Sequence, residues 1–161
     1  MLFRSVPIIR ELKKWQRFGL DTAENHRLPF DKLKTSLDQQ FVIRDAPPGA
    51  SCPVVETMRG SDFVLLVTEP TPFGLHDLKQ VAEIARELGI PAGVVVNRDG
   101  IGDNAVEAYC AQAGLPILMR IPMERRFAEA IAGGQTLVEA APEYREQFLR
   151  LIARIRQQAL S

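Results

Sequence analysis

Cysteine and histidine are scarce, with two of each in 161 residues, and each pair is widely separated in the chain. Two distant thiols exclude a disulfide framework and a four-cysteine metal site, and two distant imidazoles argue against zinc. Net charge is missing as well. Twenty basic residues cancel twenty acidic ones, and the pI is about 6.7, so the basic excess of a general nucleic-acid binder is lacking. No apolar run nears the roughly 18 residues that a membrane span requires. The opening stretch MLFRSVPIIRELKKWQ has no sustained apolar core and no small-residue cleavage pattern. Internal repeats and low-complexity tracts are absent too. These absences lead us to expect a soluble cytoplasmic protein, kept reduced, with no nucleic-acid partner and no membrane span.

What is present is ordinary globular material: 46% hydrophobic and 25% charged residues, in a length that suits one domain. From Phe41 onward, short β-branched runs alternate with amphipathic helices. Phe41–Arg44, Phe63–Thr68, Ala92–Val96 and Ile117–Ile121 read as strands. The Phe63–Thr68 run is apolar almost throughout, as in a parallel strand covered on both faces. Between them, Leu75, Leu78, Val81, Ala82, Ala85 and Leu88 mark one helix face, with Gly89 as its stop. A second helix is expected from Asp103 or Asn104 to about Ala113, closed by Gly114. A third runs from Glu124 to Ala132. A last one is striped by Phe148, Leu149, Ile152 and Ile155, which suits core packing better than a membrane surface. Alternation of this kind predicts an α/β fold: a partial parallel sheet of at least four strands with helices on both faces.

Residues 1–40 differ. They hold eight Lys/Arg against five Asp/Glu. Ile8, Leu12 and Trp15 fit a helix stripe, while Leu2–Ile9 fits a strand broken by Pro7 equally well, and Gly19–Pro29 reads as a loop.

Three strand tips stand out, because ligands of open α/β sheets bind beyond the carboxyl ends of the strands. The first is Phe-Val-Ile-Arg-Asp45-Ala-Pro-Pro48-Gly49. A carboxylate there can hold Mg²⁺ through water, and the N–H of Gly49 can meet a phosphate. A strand end with Asp45 capping a turn explains the same residues. The second is Val-Val-Val-Asn97-Arg98-Asp99, where the Asn side chain offers a donor and an acceptor to an adenine edge, or simply makes a turn. The third is Arg120-Ile-Pro122-Met123, an apolar wall for a base or the first turn of a helix. In order, the three form the succession of a nucleotide site.

With these residues in view, the chain resembles the MinD/ParA/Mrp branch of P-loop ATPases, the group with a deviant Walker A motif. It is most similar there to the MinD-like ATPases that carry an inserted ferredoxin domain. The resemblance is carried by Asp45–Val54, Val67–Leu78, Gly93–Arg98 and Arg120–Met123. It implies ATP and Mg²⁺ as ligands and a Walker B or switch II role for Asp45. It implies a γ-phosphate sensor at Pro48-Gly49, an adenine-reading Asn97 with Arg98 beside it, and a base flanked by Pro122 and Met123. Gly100 departs from the guanine-reading Asn-Lys-x-Asp pattern, which favours adenine.

Two family features are missing. No Gly-rich loop with a lysine occurs anywhere in the sequence, and Gly133-Gly134-Gln135-Thr136 has neither the lysine nor the right place. The cysteine-rich insert is absent too. The division expected is a divergent segment, 1–40, and the C-terminal half of a MinD/ParA-like nucleotide-binding domain, 41–161. In the related nitrogenase iron protein, a cysteine at the offset of Cys52 ligates an iron–sulfur cluster. Two Cys52 thiols in a dimer fall short of the four a cluster needs, so a small buried thiol at a helix start is the expectation here. His76, Arg125 and Arg126 are expected on solvated helix faces. The function expected is a nucleotide (ATP)-binding module that is catalytically incomplete alone, or else a protein-interaction or regulatory remnant. In the family the P-loop strand lies between the Asp45 strand and the Phe63–Thr68 strand. Because Pro7 makes Leu2–Ile9 a poor central strand, a homodimer or a second chain is expected to complete the sheet.

Overall fold

The computed structural model describes residues 6–11 and 41–159. One five-stranded sheet organises them. Its strands are β1 (Val6–Glu11), β2 (Phe41–Ala46), β3 (Phe63–Thr68), β4 (Ala92–Asp99) and β5 (Ile117–Pro122), in the spatial order β2-β1-β3-β4-β5. The helices are α1 (Cys52–Met58), α2 (Pro72–Glu87), α3 (Ala105–Ala113), α4 (Arg125–Ala132), α5 (Leu137–Ala140) and α6 (Tyr144–Ala159).

Parallel pairing joins three strands, β3, β4 and β5, and not the four expected. β1 pairs antiparallel to β2 on one side and to β3 on the other. Two reversals restore the direction, so β2 runs the same way as β3, β4 and β5. The four carboxyl tips therefore share one edge of the sheet although only three strands pair in parallel.

The place expected for a P-loop strand is thus filled from within the chain, which corrects the expectation that another chain must fill it. Pro7 is accommodated because the ladder to β3 is two residues long, Ile8 opposite Val64 and Ile9 opposite Phe63. Pro7 pairs only with Asp45 of β2. A missing N–H costs a ladder bond only where a partner strand faces it. The helix stripe proposed through Ile8 gives way to this strand. Leu12, Trp15, the loop at Gly19–Pro29 and Leu2–Ser5 lie outside the described residues.

Side-chain alternation along each strand builds two cores. Val64, Leu66, Val94 and Val96 face α1, α2 and α3, meeting Val54, Met58, Leu78, Val81, Ala85, Val106 and Cys110. Phe63, Leu65 and Val95 face the other way, toward Phe127 of α4 and Tyr144, Leu151 and Ile155 of α6. A register shift between Val94 and Val95 inserts an extra residue into β5. The bulge lets neighbours Leu118 and Met119 join the same layer. In α6 the buried stripe is Tyr144, Leu151 and Ile155, while Leu149 and Ile152 are only half-buried. That stripe is rotated from the expected one, because Tyr144 anchors the first turn edge-on against Phe127, with ring centroids 5.4 Å apart. No helix among the described residues is long and apolar enough to cross a membrane.

Candidate functional site

The site is built from the turns that leave the shared edge of the sheet. After β2 the chain makes its Pro-Pro-Gly turn, and Gly49 takes φ +86, a conformation that any side chain would strain. After β3, Thr71 caps α2. Its hydroxyl accepts a hydrogen bond from the Gly74 N–H at 3.0 Å, with Pro72 opening the helix. Thr68 donates its hydroxyl to the Gly74 carbonyl at 2.9 Å. The β3–α2 turn is therefore tied to the strand it leaves. After β4, the chain bends at Arg98, the only described non-glycine residue with positive φ (+54).

Pro48, Gly49 and Asn97 come together. They line one cavity of about 40 Å³ with Thr68, Glu69, Gly74 and Asp77, above a floor that includes Leu66 and Leu78. Small-molecule sites usually offer roughly 300–1,000 Å³, so this space is too small to take a nucleobase. The charged side chains on its wall are carboxylates, with no lysine or arginine among them. Glu69 is buried (8% exposed) and pairs with Arg98 at 3.5 Å.

Asp45, Arg98, Pro122 and Met123 do not line the cavity. Asp45 is exposed at the end of β2. The sheet order places its strand three steps from that of Asn97, about 14 Å at the usual strand spacing. Because β1 occupies the intervening slot, this lateral spacing is the one that the resemblance implies, with the middle strand inverted. Pro122 is half-buried and Met123 half-exposed at the β5 tip, where the Met123 N–H donates to the Asp99 carbonyl at 3.0 Å. Among the described residues no group of three or more His, Cys, Asp or Glu is placed to hold a metal.

A charged bridge flanks the site. One guanidinium nitrogen of Arg120 (Nη1) donates to Asp99 at 3.1 Å and to Glu107 of α3 at 2.6 Å. The hydrogen bond from Arg120 holds the Glu107 carboxyl below its ordinary 4.5, against the opposing effect of burial. A carboxyl with a depressed folded value stabilises fully above its unfolded value and loses that stabilisation as pH falls through the folded one. We expect Glu107→Gln to lose at most about 1 kcal/mol at neutral pH, because the bridge is partly solvated. The gap to the parent should begin to narrow as the pH falls below the ordinary carboxyl value of 4.5 and close only as it passes through the lowered folded one. Urea unfolding at a series of pH values checks this.

Sequence reasoning gave no role to Glu69, Thr68 or Asp77. The Thr-Glu-Pro-Thr-Pro run after β3 was the available signal, since a glutamate at the tip of an apolar strand is costly to bury without a partner. Cys52 is exposed and Cys110 buried, which corrects the expectation of a buried thiol at position 52. Cys52 occupies the first turn of α1. His76 is exposed. Arg125 and Arg126 form surface ion pairs, with Glu129 at 2.6 Å and with Glu124 and Glu143 at 2.5 and 2.9 Å.

No protein-family model matches the chain. Over 108 residues, 67% of its length, it is 34% identical to an uncharacterized protein of Methanocaldococcus jannaschii, and it covers 37% of that protein. It is 24% identical to the iron-sulfur cluster carrier protein of the same organism, over 71% of this chain and 45% of the relative. Among solved structures, a ParA family ATPase from Chlorobium tepidum aligns with a TM-score of 0.48 and 21% identity, over 70% of this chain and 46% of that one. The chain thus spans less than half the length of each of these proteins. In sequence the chain is thus MinD/ParA-like over the part of these relatives that it spans.

Proposed function

We propose that the chain is a nucleotide-binding module of the MinD/ParA type, taking ATP with Mg²⁺, and catalytically incomplete by itself. The observation that carries this reading is the convergence of Pro48, Gly49 and Asn97, from two separate turns, on one cavity at the carboxyl edge of the sheet. In this reading Asn97 bonds the adenine edge, with Arg98 beside it and Pro122 and Met123 as the apolar wall. The Gly49 N–H meets the terminal phosphate. Asp45, exposed and single, fits a Mg²⁺ that keeps most of its water, and is the catalytic carboxylate once a phosphate cradle is supplied. ATP is held along the open edge, since the cavity itself is too small.

Phosphate affinity is the weak point. P-loops bind through glycine N–H groups and a lysine, and the cavity wall here carries carboxylates instead. Binding is expected no tighter than roughly millimolar, about 4 kcal/mol. Phosphoryl transfer depends almost wholly on positioning and electrostatics, so the purified chain should release no phosphate from Mg-ATP. Steady release that disappears in Asp45→Ala overturns the incomplete-module reading. NMR titration with Mg-ATP should shift the amides of Gly49 and Asn97, with the effect lost in Asn97→Ala, and an unperturbed spectrum at ten-millimolar-order nucleotide rejects nucleotide binding.

A second reading, a protein-interaction or regulatory remnant, is favoured by the antiparallel β1 in the slot of a P-loop strand, which delivers its carboxyl end away from the site. We place either activity in the cytoplasm, assign it no nucleic-acid partner because net charge is zero, and assign it no iron–sulfur cluster because two thiols, one of them buried, are too few. Assembly as a homodimer or with a second chain remains part of the proposal. With the slot filled, a partner strand would add at an edge of the sheet, β2 or β5, and at β2 the side chain of Ile43 is 66% exposed. Light scattering at high micromolar concentration should give about twice the 18.0 kDa of one chain, and a clean monomer rejects the homodimer.

A further inference from the structure

The tip of β4 is tied on both sides. The left-handed turn at Arg98 breaks strand alternation, and the register shifts between Asn97 and Asp99. Arg98 reaches Glu69 at the end of β3, while Asp99 reaches Arg120 of β5. Arg120 is braced in turn by Glu107. Asp99 is thus a carboxylate two residues from Asn97, held sideways.

That matters for the choice of purine. An asparagine amide, carrying donor and acceptor, can pair with adenine or with guanine. A carboxylate accepts only. Guanine presents adjacent N–H donors at N1 and N2, whereas adenine presents an acceptor at N1. A free carboxylate at this tip therefore favours guanine, and one engaged elsewhere leaves the asparagine to take adenine.

We infer that Arg120, braced by Glu107, is a purine-selecting residue: it holds Asp99 toward β5 and keeps that carboxylate off the base edge beside Asn97. The inference rests on the nucleotide-binding reading above. Arg120 acts through Asp99, so it is a positioning residue.

The test is NMR titration of the whole chain with Mg-ATP and with Mg-GTP. The parent is expected to prefer ATP by about tenfold, as one mispaired polar contact commonly gives. In Arg120→Met the preference should fall to about threefold or less, through a gain in GTP affinity. Adding Asp99→Asn to that variant should restore the preference, which a purely structural role of Arg120 does not explain. An unchanged ATP-to-GTP ratio in Arg120→Met overturns the inference. So does a loss of both nucleotides in parallel. If neither nucleotide shifts the parent spectrum, the nucleotide-binding reading fails and this inference with it. Should Arg120→Met not fold, Glu107→Gln removes only the brace and should move the ratio in the same direction, and an unmoved ratio there counts against the proposal.

Discussion

Phe63→Ala is expected to cost about 3–5 kcal/mol of stability, a large share of the roughly 5–15 kcal/mol that holds a domain together. Phe63 opens β3 and is fully buried. Its ring fills space left open by Gly93. A Cβ built on Gly93 would stand 3.1 Å from the ring edge and 2.6 Å from Leu118. Phe63 also belongs to the layer that joins β3, β4 and β5 to α4 and α6. Truncation removes apolar contact from all these elements and leaves a cavity that the paired strands cannot close. Thermal unfolding should fall by about 2–4 °C for each kcal/mol in a chain of this size. The control is Phe73→Ala. Phe73 is 75% exposed at the first turn of α2, so its loss should stay within about 0.5 kcal/mol. Equal effects of the two substitutions in denaturant unfolding contradict this placement of the core.

Gly74→Ala is the second large effect, and it couples stability to the site. A Cβ at Gly74 would lie 2.2 Å from the Glu69 carbonyl oxygen and 3.1 Å from the Thr68 hydroxyl. Both neighbours are fixed, because the Thr68 hydroxyl donates to the Gly74 carbonyl and the Glu69 carbonyl accepts from the Thr71 N–H at 2.8 Å. Nothing there is the end of a flexible side chain, so the helix start must move away from the strand. Overpacking of this kind typically costs about 1–3 kcal/mol. Since Glu69 and Gly74 both line the cavity, the Asn97 amide resonance should shift as well. Gly102→Ala offers a comparison. Its Cβ would meet the Pro70 carbonyl oxygen at 1.6 Å, but Gly102 lies in an exposed turn that has room to withdraw. We expect the smaller loss there despite the closer approach. The reverse order, measured by urea unfolding, would show that the β4–α3 turn is the more rigid of the two.

Three residues of the cavity wall, Pro48, Gly49 and Asn97, were legible because they come at or just after strongly patterned strands. Phe63–Thr68 is a run of apolar, β-branched residues with its ends marked by Asp62 and Pro70, and the strand found has the same bounds. Gly114 stops α3 in the left-handed conformation, φ +67, that a helix-ending glycine supplies. Counting from Ala92 puts Asn97 just past a strand ending at Val96, whereas β4 continues to Asp99 and Asn97 pairs with Ile121 near its end. Glu69 could not be given a role, because its partner Arg98 belongs to a different strand and becomes one only when β3 and β4 pair. The bridge from Asp99 to Arg120 and Glu107 likewise joins residues up to 21 positions apart. The four residues of α5 gave no periodicity to read, although Thr136 and Glu139 form a full capping box at its start.

The sequence by itself determined the alternation of strands and helices, the buried identity of β3 and β4, and the set of residues found at the carboxyl tips. These follow from local rules: the two-residue period of strands, the 3.6-residue period of helices, and the backbone preferences of glycine and proline. The tertiary structure alone decided that Val6–Glu11 enters the sheet, that it does so antiparallel, and that it stands between β2 and β3. A strand's own residues fix which side chains alternate but not which neighbour satisfies its N–H and C=O groups. That is settled by the edges left open by the rest of the chain, since unpaired backbone groups at a buried edge are costly. The inverted strand closes those edges and keeps the lateral spacing of the tips. It also turns its carboxyl end away from the site, so among the described residues no strand-to-helix turn follows the middle strand at the edge where the other tips gather.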